Sequence, residues 1–405
     1  MAGESEGARL AGLVAVDAMA GLFLGLLFGL ALALWGRPAG RAWRSALAAL
    51  LLLAGVLCLS FHGTRSAPVL VAEAARAGRL EAPLPLLTAD EPAAVLIITL
   101  DTVRADALAY MPLLAARAQN AQRFDQARSP SAWTLPAMAA VHTGLPYPAH
   151  GAAQAQNVEG ISVRTGLDPS VPTLAEALQE RGFITLAATT NPLNGQRYGF
   201  HRGFDRFVDL SRVALRAYAL RRASLLRPLI AARPDRADAV VDQGLDWLDQ
   251  AAPGRFALWL HFLDAHTPYS SAPDTFDPLA QCALPECFDD WSSVRRGSVT
   301  LDQAERAQVR TLYQTDLAYL DEQLDRLLTG WEEAGIMEHS LVLVLADHGE
   351  AFWQPTADGS EEVEHGGSFR EELIRVPLLV WVPGRTGQER SEAVDLTAVK
   401  PAVLS

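Results

Sequence analysis

The sequence predicts an α/β protein, a doubly wound, mostly parallel sheet flanked by helices and preceded by a two-helix transmembrane hairpin. Three observations predict it. Short apolar runs rich in β-branched residues recur along residues 94–382, the mark of strands buried on both faces. Helical stretches separate them, the alternation that builds parallel sheets. Two longer uncharged apolar stretches come before them all.

The hairpin is residues 1–66. Ala18–Trp35 and Ser45–Phe61 carry no charge, and each is near the minimum length that spans a bilayer. The loop between them, GRPAGRAWR, holds Arg37, Arg41 and Arg44 without an acid, so the positive-inside bias places it in the cytoplasm and both outer ends on the far side. A cleaved signal peptide is the competing reading. Its first residues should be basic, whereas Glu4 and Glu6 precede Arg9 here. The expected location is therefore the cell membrane, multi-pass, with the body on the periplasmic or extracellular side.

Residues 67–93 are Ala- and Pro-rich and read as a linker. The body, 94–405, opens with the strand AVLIITLD (94–101), and further strands are expected at Ile184–Thr189, Phe256–Phe262, Leu341–Ala346 and Pro377–Val382. Leu301–Trp331 is the clearest helix, with apolar residues at Val309, Leu312, Leu317, Leu320, Leu324, Leu327, Leu328 and Trp331. Asp316 and Asp321 on it are expected to cap or pair.

Composition narrows the function. The 405 residues are 50% hydrophobic, with 34 basic and 47 acidic side chains and a net charge of −13. That excludes a disordered tail, and a nucleic-acid binder normally shows a basic surface. The anchor holds five arginines against Glu4, Glu6 and Asp17, so the body carries −15. Lys400 is the sole lysine, so an anion site must use Arg, His, a metal or backbone amides. Cys282 and Cys287 in QCALPEC are spaced for a small loop disulfide or are two thiols.

In a doubly wound sheet, ligands bind at the carboxyl ends of strands. Asp101 follows the first strand, Asp264 and His266 follow the third, and Asp347 and His348 follow the fourth. Two carboxylates and an imidazole suit a divalent cation. Thr134 stands at the start of a short helix opened by Pro136, where the dipole favours an alkoxide or an anionic substrate. His142, His201 and His261 read as structural. Glu350 is a partner for the His348 ring or a helix-start glutamate.

VLIITLDTVRAD, SPSAWTLPAMAAVHTGLPYPAHG, GFHRGFDRF, HFLDAHTPY, LADHGE and HGGSFREELIRVPLLVWVPG, in this order and spacing, resemble the sulfatase family of the alkaline phosphatase superfamily across nearly all of 94–405. The resemblance implies that Asp101, Asp347 and His348 bind one divalent metal, with Thr134 bridging metal and substrate. It implies that Asn157, His266 and His365 contact the transferred group, with His150 and Arg370 as further substrate-binding candidates. Two departures bear on the chemistry. Thr134 stands where sulfatases carry a Cys or Ser that becomes formylglycine, and Met138 replaces the Arg of that C/S-x-P-x-R pattern. The second acid after the first strand is replaced by Thr102. A Thr nucleophile with an Asp-His pair resembles the phosphoethanolamine and glycerophosphate transferases of the superfamily. Relatives also continue beyond DLTAVKPAVLS into a small C-terminal subdomain, so a truncated catalytic domain is expected.

The reading is a membrane-anchored, metal-dependent hydrolase or transferase that cleaves a phosphate or sulfate ester through a covalent Thr134 intermediate, with His365 or His266 assisting the leaving group. The imidazole ligand favours Mn²⁺ or Zn²⁺, with Ca²⁺ as the alternative. The expected partners are an ester substrate, as in an envelope lipid or glycan, and the membrane, with no nucleic acid. The competing readings are a sulfuric ester hydrolase without formylglycine and a binding pseudoenzyme.

Overall fold

Seven successive fully buried residues, Ala94–Leu100, make β1, a run too apolar for any place but between two layers of helix. In the computed structural model the described residues are Pro92, 94–156, 162–211, 236–251, 254–273, 291–356 and 359–405. Along the chain β1 is followed by α1 (Pro112–Arg117), β2 (Gln122–Arg128), α2 (Thr134–Thr143), β3 (Ala153–Gln156), β4 (Ser162–Thr165), α3 (Leu174–Glu180), β5 (Ile184–Thr189) and β6 (Arg206–Asp209). Then come α4 (Ala237–Ala251), β7 (Phe256–Phe262), α5 (Trp291–Arg295), α6 (Gln303–Glu333), β8 (Ser340–Ala346), β9 (Ala351–Pro355), β10 (Glu361–Glu364), α7 (Glu371–Ile374), β11 (Leu378–Trp381), β12 (Gln388–Asp395) and α8 (Val399–Leu404).

The main sheet has the order β12-β2-β11-β8-β1-β7-β5-β6. The run from β8 to β6 is parallel throughout. β11 is antiparallel to both β8 and β2, while β12 returns parallel to β2. The sheet is therefore mostly parallel, as expected, and mixed through β11 alone: the short path from β8 through the β9–β10 hairpin brings the chain back beside β8 running the other way. The β7 side chains show that helices cover both faces. Phe256 meets Trp331 of α6 at 5.5 Å between ring centroids, and Trp259, three residues on and pointing oppositely, meets His142 of α2 at 4.3 Å.

The strands expected from apolar runs are present, with β5 and β7 at the expected bounds. Long helix α6 begins two residues after its expected start. Asp302 sets that start through a capping box, accepting from the Glu305 amide at 2.9 Å while Glu305 accepts from the Asp302 amide at 2.7 Å. Its buried acids hold backbone amides: Asp321 accepts from those of Leu113 and Leu114 at the start of α1, and Asp316 from that of Ala272 in the loop after β7. β2, β6 and β12 were not expected. β2 and β12 read QRFDQAR and QERSEAVD, and neither contains an apolar run.

The hairpin at 1–66, residues 67–91 of the linker, Asn157, Cys282 and Cys287 lie outside the described residues. Among the described residues no helix is long and apolar enough to cross a membrane.

Candidate active site

The site is built at the carboxyl ends of β1, β5, β7 and β8. β1 ends at Asp101, where the backbone turns through Thr102 in the left-handed region at φ 59°, an uncommon conformation for a β-branched residue. Thr102 donates its amide to Asp347 Oδ1, and its hydroxyl lies 2.8 Å from the Ala265 carbonyl. It thus fills the place of a second acid with a residue that ties β1, β7 and β8 together. Asp347 follows β8, and its Oδ1 also accepts from the His348 amide at 2.7 Å. Gly349 is needed next, because a Cβ there would lie 2.0 Å from the Glu372 carbonyl oxygen. Gly349→Ala is expected to destabilise the fold by about 3 kcal/mol or more, read as a lowered Tm.

Asp101, Asp347 and His348 are fully buried, and one ligand atom from each lies within 4.8 Å of the others. His348 Nε2 is 3.6 Å from Asp101 Oδ1 and 3.5 Å from Asp347 Oδ2. Both of those oxygens are buried without a hydrogen-bond partner. His348 Nδ1 faces the Gly349 carbonyl at 2.9 Å; a carbonyl only accepts, so the proton sits on Nδ1 and the Nε2 lone pair faces the two orphan oxygens. Two unpartnered carboxylate oxygens and an imidazole lone pair converging in a buried space fit a divalent cation.

The electrostatics agree. Burial, reinforced by the His365 ring, pulls His348 down to about 3 and keeps it neutral. Burial and the adjacent Asp101 charge push Asp347 well above the carboxylate range. Asp101 moves the opposite way: burial opposes it, but the His261 hydrogen bond and the His266 charge hold it ionised. Two neighbouring buried carboxylates without a cation do not both ionise.

Thr134 is the first residue of α2, a helix of ten buried residues closed by Gly144 at φ 70°. Its Oγ1 lies 3.3 Å from His348 Nε2 and 3.4 Å from Asp101 Oδ2. Asn191, after β5, is a third neighbour that the sequence reading missed. Its Oδ1 accepts from the Leu193 amide at 2.8 Å, which turns Nδ2 toward Asp101 Oδ2 at 2.5 Å and Thr134 Oγ1 at 3.3 Å. The available signal was its position after a recognised strand.

His261, read as structural, also reaches the site. Trp259 Nε1 donates to Thr99 Oγ1 at 2.9 Å, and that hydroxyl is 2.7 Å from His261 Nδ1. An ionised carboxylate only accepts, so His261 Nε2–H donates to Asp101 Oδ2 at 3.2 Å, with the Thr99 hydroxyl beside the other ring nitrogen.

His365 stacks near His348, 4.5 Å between centroids, and His266 lies 5.0 Å from His365. Burial and His266 lower His365 to about 4. His266 is raised: burial lowers it, but the Asp101 and Glu350 charges outweigh that. Glu350 does not pair with His348; its Oε1 is 3.1 Å from His365 Nδ1, and its Oε2 accepts from the Tyr269 hydroxyl at 3.0 Å.

The other candidates sit differently. His150 is buried and accepts from the Ala152 amide at Nδ1, inside its own turn. Arg370 donates to the Pro355 carbonyl at 2.7 Å and pairs with Glu372 at 3.4 Å. Asp264, the remaining strand-end acid, caps the Ala237 amide at the start of α4 at 2.9 Å. His142 is packed against Phe200, Phe204 and Trp259.

An arylsulfatase of Clostridium perfringens (strain 13 / Type A) is 24% identical over 184 residues, covering 41% of this chain and 37% of that enzyme. The chain thus spans little more than a third of that curated relative's length. Among solved structures, the phosphonate monoester hydrolase of Agrobacterium radiobacter aligns with a TM-score of 0.55 and 20% identity, over 77% of this chain and 72% of that one. The zinc complex of the C-terminal periplasmic domain of EcEptC from Escherichia coli aligns with a TM-score of 0.53 and 15% identity, over 79% and 84%. These two similarities establish the α/β fold. The Sulfatase family profile matches residues 94–404, most of the chain, and the protein belongs to that family.

Proposed function

We propose that the protein is a membrane-anchored, metal-dependent hydrolase or transferase that cleaves a phosphate or sulfate ester through a covalent Thr134 intermediate. The observation that carries this is the Thr134 hydroxyl itself: buried, at a helix N-terminus, and within 3.4 Å of His348 Nε2, Asn191 Nδ2 and Asp101 Oδ2. Asp101, Asp347, His348 and Thr134 would hold the cation, which when bound supplies Lewis acidity and positive charge for the transferred oxygens. Mn²⁺ or Zn²⁺ is favoured by the imidazole, with Ca²⁺ as the alternative.

The chain's own groups carry the rest. Asn191 Nδ2 orients the Thr134 hydroxyl, and the α2 N-terminus favours the anionic group brought to it. Thr134 Oγ, its proton lost to solvent and regained when the threonine is released, bonds to phosphorus or sulfur as the bond to the leaving oxygen breaks, and that oxygen takes a proton from the protonated ring of His365 or His266. Water or an acceptor hydroxyl then attacks the Thr134 ester and returns a proton to the imidazole, restoring the threonine. Asn157, His150 and Arg370 remain proposed substrate contacts.

A phosphate ester is the favoured substrate, since Thr134 cannot become formylglycine. The similarity to phosphonate monoester hydrolases supports it. The similarity to an arylsulfatase supports a sulfuric ester as the second reading. An envelope lipid or glycan is the proposed substrate class, with Ala18–Trp35 and Ser45–Phe61 as the anchor and the catalytic body on the periplasmic or extracellular side.

Intact mass after mixing with phosphate, phosphonate and sulfate esters tests the chemistry. A phosphoryl, substituted phosphoryl or sulfuryl adduct on Thr134 is expected, and turnover with no adduct, by a Thr134→Ala chain as fast as wild type, overturns it. Chelation is expected to lower turnover about 100-fold or more, with recovery on Mn²⁺ or Zn²⁺. A metal-free protein that no divalent ion activates supports the pseudoenzyme instead.

A further inference from the structure

We infer that Glu350 is the positioning residue for His365, and that Tyr269 in turn fixes Glu350; this rests on reading His365 as the group that exchanges a proton with the leaving alcohol. Glu350 is fully buried, and each carboxylate oxygen has one partner: Oε1 faces His365 Nδ1 at 3.1 Å and Oε2 accepts from the Tyr269 hydroxyl at 3.0 Å. Its carbonyl is held as well, accepting from Arg104 at 3.0 Å. His348, its near neighbour in sequence, has its Nδ1 satisfied by Gly349 and needs nothing from Glu350.

Tyr269 is a rigid anchor. It is buried among the rings of Trp291, Tyr313 and Phe352, at 5.5, 5.8 and 5.9 Å. Its backbone lies in the left-handed region at φ 50°, and Glu364, just before His365, does so at φ 64°. Strained conformations of this kind persist only where the surroundings over-determine them, and they gather at functional sites. A buried carboxylate is costly unless it is used by a partner.

The consequence is a defined ring. With Nδ1 turned to Glu350, Nε2 is the His365 nitrogen left for substrate. An anionic ester beside Nε2 favours the doubly protonated ring, so His365 takes a second proton from solvent on Nε2 as the ester binds. When the ester oxygen–phosphorus bond breaks, that proton goes to the leaving oxygen, and the attacking water or alcohol returns one to Nε2. Glu350 accepts the Nδ1–H hydrogen bond throughout and neither gains nor loses a proton, the role a carboxylate plays behind a catalytic imidazole.

The test uses the full chain and paired esters, one with a nitrophenyl and one with an alkyl leaving group. His365→Gln is expected to slow the alkyl ester about 100-fold and the nitrophenyl ester less than about threefold, because a good leaving group needs no proton. Glu350→Gln is expected to give the same selective loss at about tenfold, and the double variant to be no slower than His365→Gln alone. Equal loss on both esters, or losses that multiply in the double variant, overturns the proposal. Should Glu350→Gln not fold, Tyr269→Phe is read in the same way, with a selective alkyl-ester loss expected and an equal loss overturning it. If wild type turns over neither ester, or Thr134→Ala turns over both, the ester-transfer reading is what fails. The ¹⁵N resonances of His365 still decide the pairing then: a shift on Glu350→Gln or Tyr269→Phe supports it, and unchanged resonances overturn it.

Discussion

Thr134→Ala is expected to lower kcat by about 10⁴-fold or more on whichever ester proves to be the substrate, the scale seen when a covalent nucleophile is removed. Thr134→Val is the sharper form of the experiment. Thr134 is 2% exposed, so a near-isosteric valine keeps the packing of α2 and removes only the hydroxyl. Loss of activity with an unchanged Tm then assigns the effect to the oxygen. Thr134→Ser keeps the oxygen but loses the γ-methyl that restricts its rotamer, and a loss of about tenfold or less is expected. Steady-state rates and melting curves for the three variants check all of this, and a Thr134→Val chain that keeps wild-type turnover would rule out the covalent route.

Acid should destabilise the protein in part through one buried histidine outside the site. His142 sits inside α2 against Phe200, Phe204 and Trp259, its Nε2 without a hydrogen-bond partner, and burial pulls it down to about 3 from an ordinary 6.5. In the window between those values the unfolded chain binds a proton that the folded chain does not. Stability from this group is complete above pH 6.5 and falls as pH drops toward 3, by at most about 5 kcal/mol. His142→Phe removes the titration and suits the aromatic surroundings. Urea unfolding of the two proteins at pH 7.5, 5.5 and 4.5 is expected to show a markedly shallower decline for the variant. Parallel declines would sink the assignment to His142.

The features legible in the sequence were those that declare themselves through hydrophobicity. β1, β5, β7 and β8 are buried on both faces and read as apolar runs, and the rule that ligands gather at strand ends then points to Asp101, Asp347 and His348. β2 and β12 escaped because they are polar, half-buried or edge strands whose place depends on pairing rather than on apolar content. Asn191 escaped because an Asn before a proline reads as a turn former, and it is one: a single amide caps Leu193 with its oxygen and serves the site with its nitrogen. His261 escaped because it lies inside an apolar strand, where only the pairing of β7 with β1 sets it beside Asp101. Glu350 was linked to the wrong histidine because proximity in sequence stood in for geometry.

The orphan oxygens Asp101 Oδ1 and Asp347 Oδ2 belong to adjacent parallel strands whose residues are far apart in the chain. An ion held between them binds the folded protein and has no comparable site on the unfolded one. It therefore acts as a stabilising ligand by mass action, adding about 2.7 kcal/mol at a free concentration a hundred times its Kd. The melting temperature of this protein should then be a function of the free cation concentration, and buffers with and without chelator should be treated as two different thermodynamic states.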